Sequence, residues 1–389
     1  MANITYLLGA GASFNACPIL NQQAEAMSEM AHTELTKFGH FLSSISTPSY
    51  KETELDLLKT NREKVLWHIG YFGLKAKEFG TIDIYARKLH LQGKIAELNL
   101  LKMSISVFFD LWENFYEERY SHICQKQKLN MEKESYFVNG FEKIDKRYVS
   151  LFSVFLNKTA DSIILDNNIK FITWNYDLQL ENTFKLFSES STIQDLESIN
   201  NHFPFIRNSD SENQVYHLNG HRGFYDYNAI FSNGRKKDML IEARKVESFN
   251  EYWKLHSDMY DKTMDGSMSF KNFINYAWEH DFEQRWFEKI KNVLKETEVL
   301  IIIGYSFPPF NRLVDQFMMS NLIRPKLKEI VYQDPNANKE IIENLFADPK
   351  HFKYKTSASI RIIKENLEQF HIPNNYFNKQ IARARSIVV

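Results

Sequence analysis

Glycine is scarce in this sequence, at 13 of 389 residues, less than half the roughly 7% usual in proteins. With only 9 prolines beside them, the glycines exclude a collagen-like chain, a flexible linker array and a Pro/Gly-rich disordered tract. Cysteine is scarcer still. Cys17 and Cys124 are the only two, too few for a disulfide framework or a four-cysteine zinc site, and they point to a reducing compartment. The longest aliphatic run is Val299 to Ile303, far short of the roughly 20 residues that cross a bilayer. No sign of charge dominates, because 48 Lys+Arg face 49 Asp+Glu. A global field that would drive the chain onto nucleic acid or an anionic membrane is therefore absent. The first basic residue is Lys37, so the N-terminus lacks the positive region of a secretory signal. The expectation is a soluble cytoplasmic protein with no membrane partner and no indicated nucleic-acid partner.

Aromatic residues are abundant instead, at 14% of the chain within a 43% hydrophobic total. That supply builds a large core, and the length suits one large domain with insertions or two that share a core. Asn3 to Leu8 is a short β-branched and apolar run that ends at Gly9-Ala10-Gly11-Ala12-Ser13, with a helix expected past Pro18. The same strand, turn and helix grammar recurs three times. Lys170 to Trp174 leads through Asn175-Tyr176-Asp177 into a helix over Leu178 to Leu186. Val299 to Ile303 leads through Gly304-Tyr305-Ser306 into a helix from about Asn311 to Leu322. Ile330 to Gln333 leads through Asp334-Pro335-Asn336 into a fourth helix. Strands apolar throughout and alternating with helices predict an α/β fold with a Rossmann-like parallel sheet covered by helices.

Two intervals interrupt that pattern. Residues 31–159 read as a mainly helical insertion, far longer than a sheet crossover needs. Its clearest piece is Leu98 to Tyr120, where Leu98, Leu101, Ile105, Phe108, Phe109, Leu111, Trp112 and Tyr116 recur near a helical period. Residues 224–296 form a second, partly helical insertion, with a basic Gly234-Arg235-Lys236-Lys237 turn and a helix expected over Phe270 to Lys295. The α/β domain is then 1–30 together with 160–389.

Four motifs carry the candidate chemistry. The Gly9 to Ser13 turn suits a backbone that turns tightly and approaches a pyrophosphate. It lacks the third glycine of the dehydrogenase fingerprint, where Phe14 stands, and no Gly-Lys-Ser/Thr follows. Thr173-Trp174-Asn175-Tyr176-Asp177 sets an amide and a carboxylate at the carboxyl end of a buried strand, where open α/β sheets bind ligands; Asp177 equally suits a helix cap. Gln214 to His221 begins as a strand and reaches Gly220, and a histidine at such an edge can serve as a general base. Gly304-Tyr305-Ser306 repeats the strand-then-glycine pattern, with a serine suited to a phosphate or ribose.

In this order and spacing, the four motifs resemble the sirtuin-like family, and its bacterial branch of NAD-consuming antiphage effectors more closely than its protein deacylases. Thr81-Ile82-Asp83-Ile84 also looks like a family segment. The resemblance covers about half the chain. It implies NAD+ as substrate and hydrolysis of the nicotinamide–ribosyl bond, with Asn175, His217 and Asp177 as catalytic residues. Gly9, Ala10, Gly11 and Ser13 would hold the pyrophosphate, and Gly304, Tyr305, Ser306 and Asp334 the adenosine side. The family usually has His immediately before the glycine where this chain has Asn219, so the base is expected at His217, one strand step back on the same face, with His221 as the reserve. Deacylases of the family carry a four-cysteine zinc module that this sequence cannot supply, so no metal and no zinc module are expected. The family also implies a homo-oligomer and, for some members, a HerA-type ATPase partner. Alternatives are a non-catalytic NAD or ADP-ribose sensor or scaffold subunit, and an NAD-dependent deacylase or ADP-ribosyltransferase.

Overall fold

The computed structural model describes residues 2–36, 58, 60–114, 142–159, 162–188, 196–207, 212–227, 237–240, 249–264, 270–323, 325–346, 358–374 and 376. In chain order the elements begin with β1 (Ile4–Leu8), a 3-10 turn (Ala10–Ser13), α1 (Leu20–Thr36), α2 (Asn61–Glu78), α3 (Ile82–Leu91) and α4 (Ile95–Asn114). They continue with α5 (Lys146–Phe155), β2 (Leu156–Lys158), β3 (Ile163–Leu165), β4 (Ile169–Thr173), α6 (Gln179–Phe187), α7 (Leu196–His202) and β5 (Val215–His217). Next come β6 (Phe224–Tyr227), β7 (Lys237–Leu240), α8 (Phe249–Met264), β8 (Phe270–Asn272) and α9 (Arg285–Glu296). The last are β9 (Val299–Ile303), α10 (Arg312–Asn321), β10 (Glu329–Gln333), α11 (Lys339–Phe346) and β11 (Ser359–Ile363). Two compact units result. The first holds Met1–Phe14, Ile144–Gly220 and Asn275–Val389; the second holds Asn15–Lys143 and His221–Ile274.

The first unit is built on a six-stranded sheet in the order β11-β10-β9-β1-β4-β5, with every neighbouring pair parallel. Parallel strands need cover on both faces, and β1, β4 and β9 are buried along their full length. The two faces use different side chains. One is largely aliphatic: Leu7, Ile172, Leu300, Ile302 and Ile330 meet Ile290 and Leu294 of α9, Val314 and Met318 of α10 and Ile342 of α11. The other is aromatic, where Tyr6 stacks on Phe171 at 5.4 Å and meets Phe155 of α5 at 5.9 Å. Phe184 of α6 stacks on Phe203 at 4.9 Å on the same side. The α/β expectation holds for this sheet, and β11, which no motif announced, extends it by one strand.

The second unit contains α1 to α4, α8 and an antiparallel sheet in the order β7-β6-β8. The capping box of Thr60 and Glu63 starts α2. Gly73 lets α2 approach α1 closely, since a Cβ there would lie 2.7 Å from the Ser28 nitrogen. Behind α4, the fully buried Arg222 binds Asp110 through Nη1 at 2.7 Å and Glu113 through Nε.

One expected helix needs correction, and another is described only in part. Phe270 to Lys295 is no single helix: it holds β8, a 3-10 turn at Ala277–Glu279 and α9 from Arg285. Side chains compete for its backbone, because Asn272 Oδ1 accepts from Ile274 N at 2.7 Å and Asp281 Oδ1 accepts from Glu283 N at 3.1 Å. The helix expected over Leu98 to Tyr120 is α4, from Ile95 to Asn114, and Tyr116 lies outside the described residues. So do Cys124 and positions 234–236 of the basic turn, whose Lys237 opens β7. The interval 31–159 also contains β2, which pairs with β3 as an antiparallel hairpin. Thr81 caps α3, accepting from Ile84 N at 3.3 Å, in the second unit. Among the described residues, no helix is long and apolar enough to cross a membrane.

Candidate functional site

The carboxyl ends of the first unit's strands gather most of the residues singled out in the sequence. Gly9 and Gly11 follow β1, Gly304 follows β9, and the two turns press together. Gly9 N donates to Ile303 O at 2.9 Å and Gly11 N donates to Gly304 O at 3.0 Å. A Cβ on Gly9 would lie 2.4 Å from Gly304 O, and one on Gly304 would lie 2.4 Å from Ala12 N, with Gly304 also in the left-handed region at φ +60°. These glycines are therefore required by contact between two turns. The sequence reading gave them to a pyrophosphate; their amides are bonded within the protein, as is that of Ala12, which donates to Gly9 O at 2.9 Å. The Ala10 amide takes part in none of these bonds.

Ser13, at the end of the first turn, meets Asn175 from the end of β4. Asn175 Nδ2 donates to Ser13 Oγ at 3.1 Å, joining residues 162 positions apart. Both are buried. The Ser13 hydroxyl also pairs with the Tyr148 hydroxyl at 3.3 Å. Tyr148 lies in the first turn of α5, where Asp145 is the N-cap and accepts from Arg147 N. The Arg147 guanidinium donates to Asp145 at 2.6 Å and to Gly11 O and Ala12 O at 3.1 and 3.2 Å, so it grips the carbonyl side of the glycine turn. Burial first, and the charge of Asp177 next, push the Tyr148 phenol well above its ordinary range. Asp177 itself accepts from Gln179 N at 3.2 Å, a turn bond one residue ahead of the helix cap, which is Leu178, and its charge acts on Tyr148.

His217, the last residue of β5, has both ring nitrogens engaged. Nδ1 lies 3.1 Å from the Asn175 carbonyl oxygen and Nε2 lies 2.9 Å from Glu181 Oε1 of α6. A carbonyl only accepts, so Nδ1 carries a proton, and Nε2 faces a carboxylate. Burial lowers the imidazole pKa, but Glu181, the Asn175 carbonyl and Asp177 outweigh it and the net shift is upward. His217 is thus sited to hold a charge and a backbone, and no lone pair is left aimed at water. His221 belongs to the second unit, where Nδ1 donates to Arg222 O at 2.8 Å and the ring stacks on Phe224. Asn219 accepts from Asn275 N through its backbone oxygen, while its buried side-chain Oδ1 has no hydrogen-bond partner among the described residues.

The adenosine-side residues divide. Tyr305 is a core residue: its ring stacks on Trp174 at 5.5 Å and its hydroxyl donates to Asp315 Oδ1 at 2.8 Å. Burial raises the Asp315 carboxyl to about 7. Tyr332 OH donates to the Tyr305 carbonyl at 2.8 Å, and Ser306 is exposed beyond it. Asp334 closes its own turn by accepting from Asn336 N at 2.7 Å, and burial raises its carboxyl.

Sequence reasoning missed Asp145, Arg147, Tyr148 and Glu181. Glu181 had a signal, a carboxylate in the first turn of the helix after Asn175-Tyr176-Asp177. Arg147 and Tyr148 lie 135 positions from the Ala12 and Ser13 they bond, Asp145 holds Arg147 in place, and only the fold joins them to the turn. No protein-family model matches the chain, and no curated protein aligns with it significantly.

Proposed function

We propose that this chain is a NAD+ hydrolase, cleaving the nicotinamide–ribosyl bond to give nicotinamide and ADP-ribose, and that it acts in the cytoplasm as a gated effector of antiphage defence. The observation that carries this reading is the strand order. Numbered among themselves and taken from the β5 side, the six strands run 3-2-1-4-5-6 and reverse between β1 and β9. In Rossmann-like sheets, the crevice at such a reversal takes dinucleotides. The glycine turns after β1 and β9 flank that reversal, and the Asn175–Ser13 bond adjoins it. The resemblance of the ordered motifs to sirtuin-like domains supports the same ligand.

Nicotinamide leaves as a neutral molecule from a cationic substrate, so no acid is needed at the leaving group. The protein's work is to hold the ribose, stabilise an oxocarbenium-like centre and deliver water. In this reading the Ala10 amide and Ser13 hydroxyl face the pyrophosphate, Asn175 orients the ribose or the water, and Asp177 lies near the carboxamide or takes the water's proton. Ser306 and Asp334 serve the adenosine side. The unpartnered Asn219 Oδ1 and Trp174 Nε1 at this edge are buried polar atoms that a polar ligand would satisfy.

The engagement of both His217 nitrogens favours a second reading, in which the site binds NAD+ or ADP-ribose without turnover and signals through assembly. Incubation of the full chain with NAD+ separates the two. Hydrolysis gives free nicotinamide and ADP-ribose without any acceptor, which also distinguishes it from deacylation and ADP-ribosyl transfer. A sensor gives thermal stabilisation alone. Because unregulated NAD+ loss is toxic, activity is expected to require homo-oligomerisation or a partner such as a HerA-type ATPase, so the assay is run with and without neighbouring gene products. Asn175→Ala should fold and release little nicotinamide; wild-type turnover by that variant would overturn the assignment.

A further inference from the structure

We propose that Glu181 and His217 form a positioning pair, an imidazolium–carboxylate clamp on the Asn175 backbone that aims the Asn175 side chain at Ser13, and that His217 is not the proton acceptor of the reaction. The role in turnover rests on the NAD+-hydrolase reading; the state of the ring does not.

Nδ1 to the Asn175 carbonyl is 3.1 Å and Nε2 to Glu181 Oε1 is 2.9 Å. With Nδ1–H donating, a neutral ring would turn the Nε2 lone pair toward a carboxylate oxygen, which is repulsive. The contact becomes favourable when a proton lies between them. In either placement of that proton, the lone pair a general base requires is already used. Burial reinforces this, since Glu181 is fully enclosed, its Oε2 has no hydrogen bond among the described residues, and His217 is the cationic partner those residues bring to its Oε1. Among the described residues, Glu181 on α6 and Asp177 on the turn after β4, both acidic, act with the Asn175 carbonyl to favour the charged ring.

The connection to Asn175 is short. The peptide whose oxygen His217 holds carries the side chain that bonds Ser13 at 3.1 Å, and Asn175 N is itself fixed by Thr173 Oγ1 at 3.1 Å. Holding the backbone at both ends leaves the Asn175 side chain little freedom. That is positioning, and a misplacement of about 1 Å can cost about 100-fold in rate.

The test uses the full chain with 15N-labelled histidine, the His217 signals being assigned by their loss in His217→Gln. The expected wild-type result is a ring protonated on both nitrogens at pH 7 and titrating above the ordinary value of about 6.5. In Glu181→Gln the same ring should titrate lower. For nicotinamide release, Glu181→Gln should lower kcat by up to about 100-fold with little change in KM, and wild-type activity should fall as pH rises through the His217 titration. A general base predicts the opposite slope, with activity rising as the ring loses its proton. A neutral His217 ring at pH 7 in the wild type, or a rising limb that moves to lower pH in Glu181→Gln, overturns the proposal. Should Glu181→Gln fail to fold, the wild-type titration still decides the ring's state. If the wild-type protein releases no nicotinamide under any condition, the hydrolase reading fails while the histidine spectra continue to decide the pair.

Discussion

Among the described residues each compact unit buries opposite charges, and the Arg222 cluster of the second unit and the His217–Glu181 pair of the first differ in what they are attached to. In the second unit, Arg222 lies fully enclosed against Asp110 and Glu113, and its neighbours Gly223 and Tyr225 both bond to Ser106 Oγ. All of these contacts join one structural element to another. In the first unit, His217 and Glu181 are as deeply buried, yet the histidine's other nitrogen holds the backbone of Asn175 at the sheet's carboxyl edge. Arginine keeps its charge at any relevant pH, whereas histidine loses its own near neutrality. Burial of charge thus separates nothing by itself. What separates the clusters is the kind of cation and whether its last hydrogen bond goes to scaffold or to a residue of the proposed ligand edge.

The largest effect is expected from Arg222→Met. It strands two buried carboxylates, and breaking a buried ion pair from one side costs about 3–5 kcal/mol. Chemical denaturation should show this loss, with the damage centred on the second unit. If the variant were as stable as the wild type, the Arg222 cluster would contribute nothing and the contrast would collapse. Gly304→Ala comes next. Its methyl group would meet Ala12 N and Gly11 backbone atoms at 2.4 Å, at φ +60°. Overpacking and left-handed strain together suggest about 2–4 kcal/mol. Here the damage falls on the turn that also carries the candidate ligand edge, so under the NAD+-hydrolase proposal any NAD+ affinity read by calorimetry should weaken along with stability.

Those two positions also show what the sequence made legible. Parallel strands were readable because five-residue apolar runs bounded by turns, such as Tyr6 to Leu8 after Ile4 and Thr5, have few other fates in a helix-rich chain. The carboxyl-edge motifs were readable for the same reason, and Ser13 and Asn175 do meet. The reason for the glycines was not readable, because contact between Gly9, Gly11 and Gly304 depends on β1 and β9 being neighbours. Arg147 and Tyr148 were invisible since nothing local ties them to residues 11–13. The expected helix over Phe270 to Lys295 failed where Asn272 and Asp281 offered the backbone side-chain partners that periodicity does not register.

The next effect is on pH dependence. The folded His217 ring titrates above its unfolded value, so the pair's contribution to stability is complete below about pH 6.5. It is lost as pH rises through the folded value. The melting-temperature gap between wild type and Glu181→Gln should therefore narrow as pH increases above neutrality, while the gap for Arg222→Met stays constant across the same window. A constant gap for both variants would mean that the His217 ring does not titrate there, and the distinction between the clusters would lose its basis.

The smallest effect is expected from Lys326→Ala, which removes an ion pair with Glu296 at 2.7 Å. The side chains are 42% and 60% exposed, so water solvates both ions before and after the change. Such pairs contribute about 0.2–1 kcal/mol, and salt screens them. This pair is as short as the Arg222–Asp110 contact at 2.7 Å, which makes it the proper control for distance. If length governed strength, the two substitutions would cost the same. If desolvation governs it, Lys326→Ala should shift the denaturation midpoint barely at all, and still less at 0.5 M salt, while Arg222→Met remains severe at either ionic strength. An equal cost would show that the buried clusters owe nothing to burial, and the argument that His217 and Glu181 share a proton because they are enclosed would weaken with it.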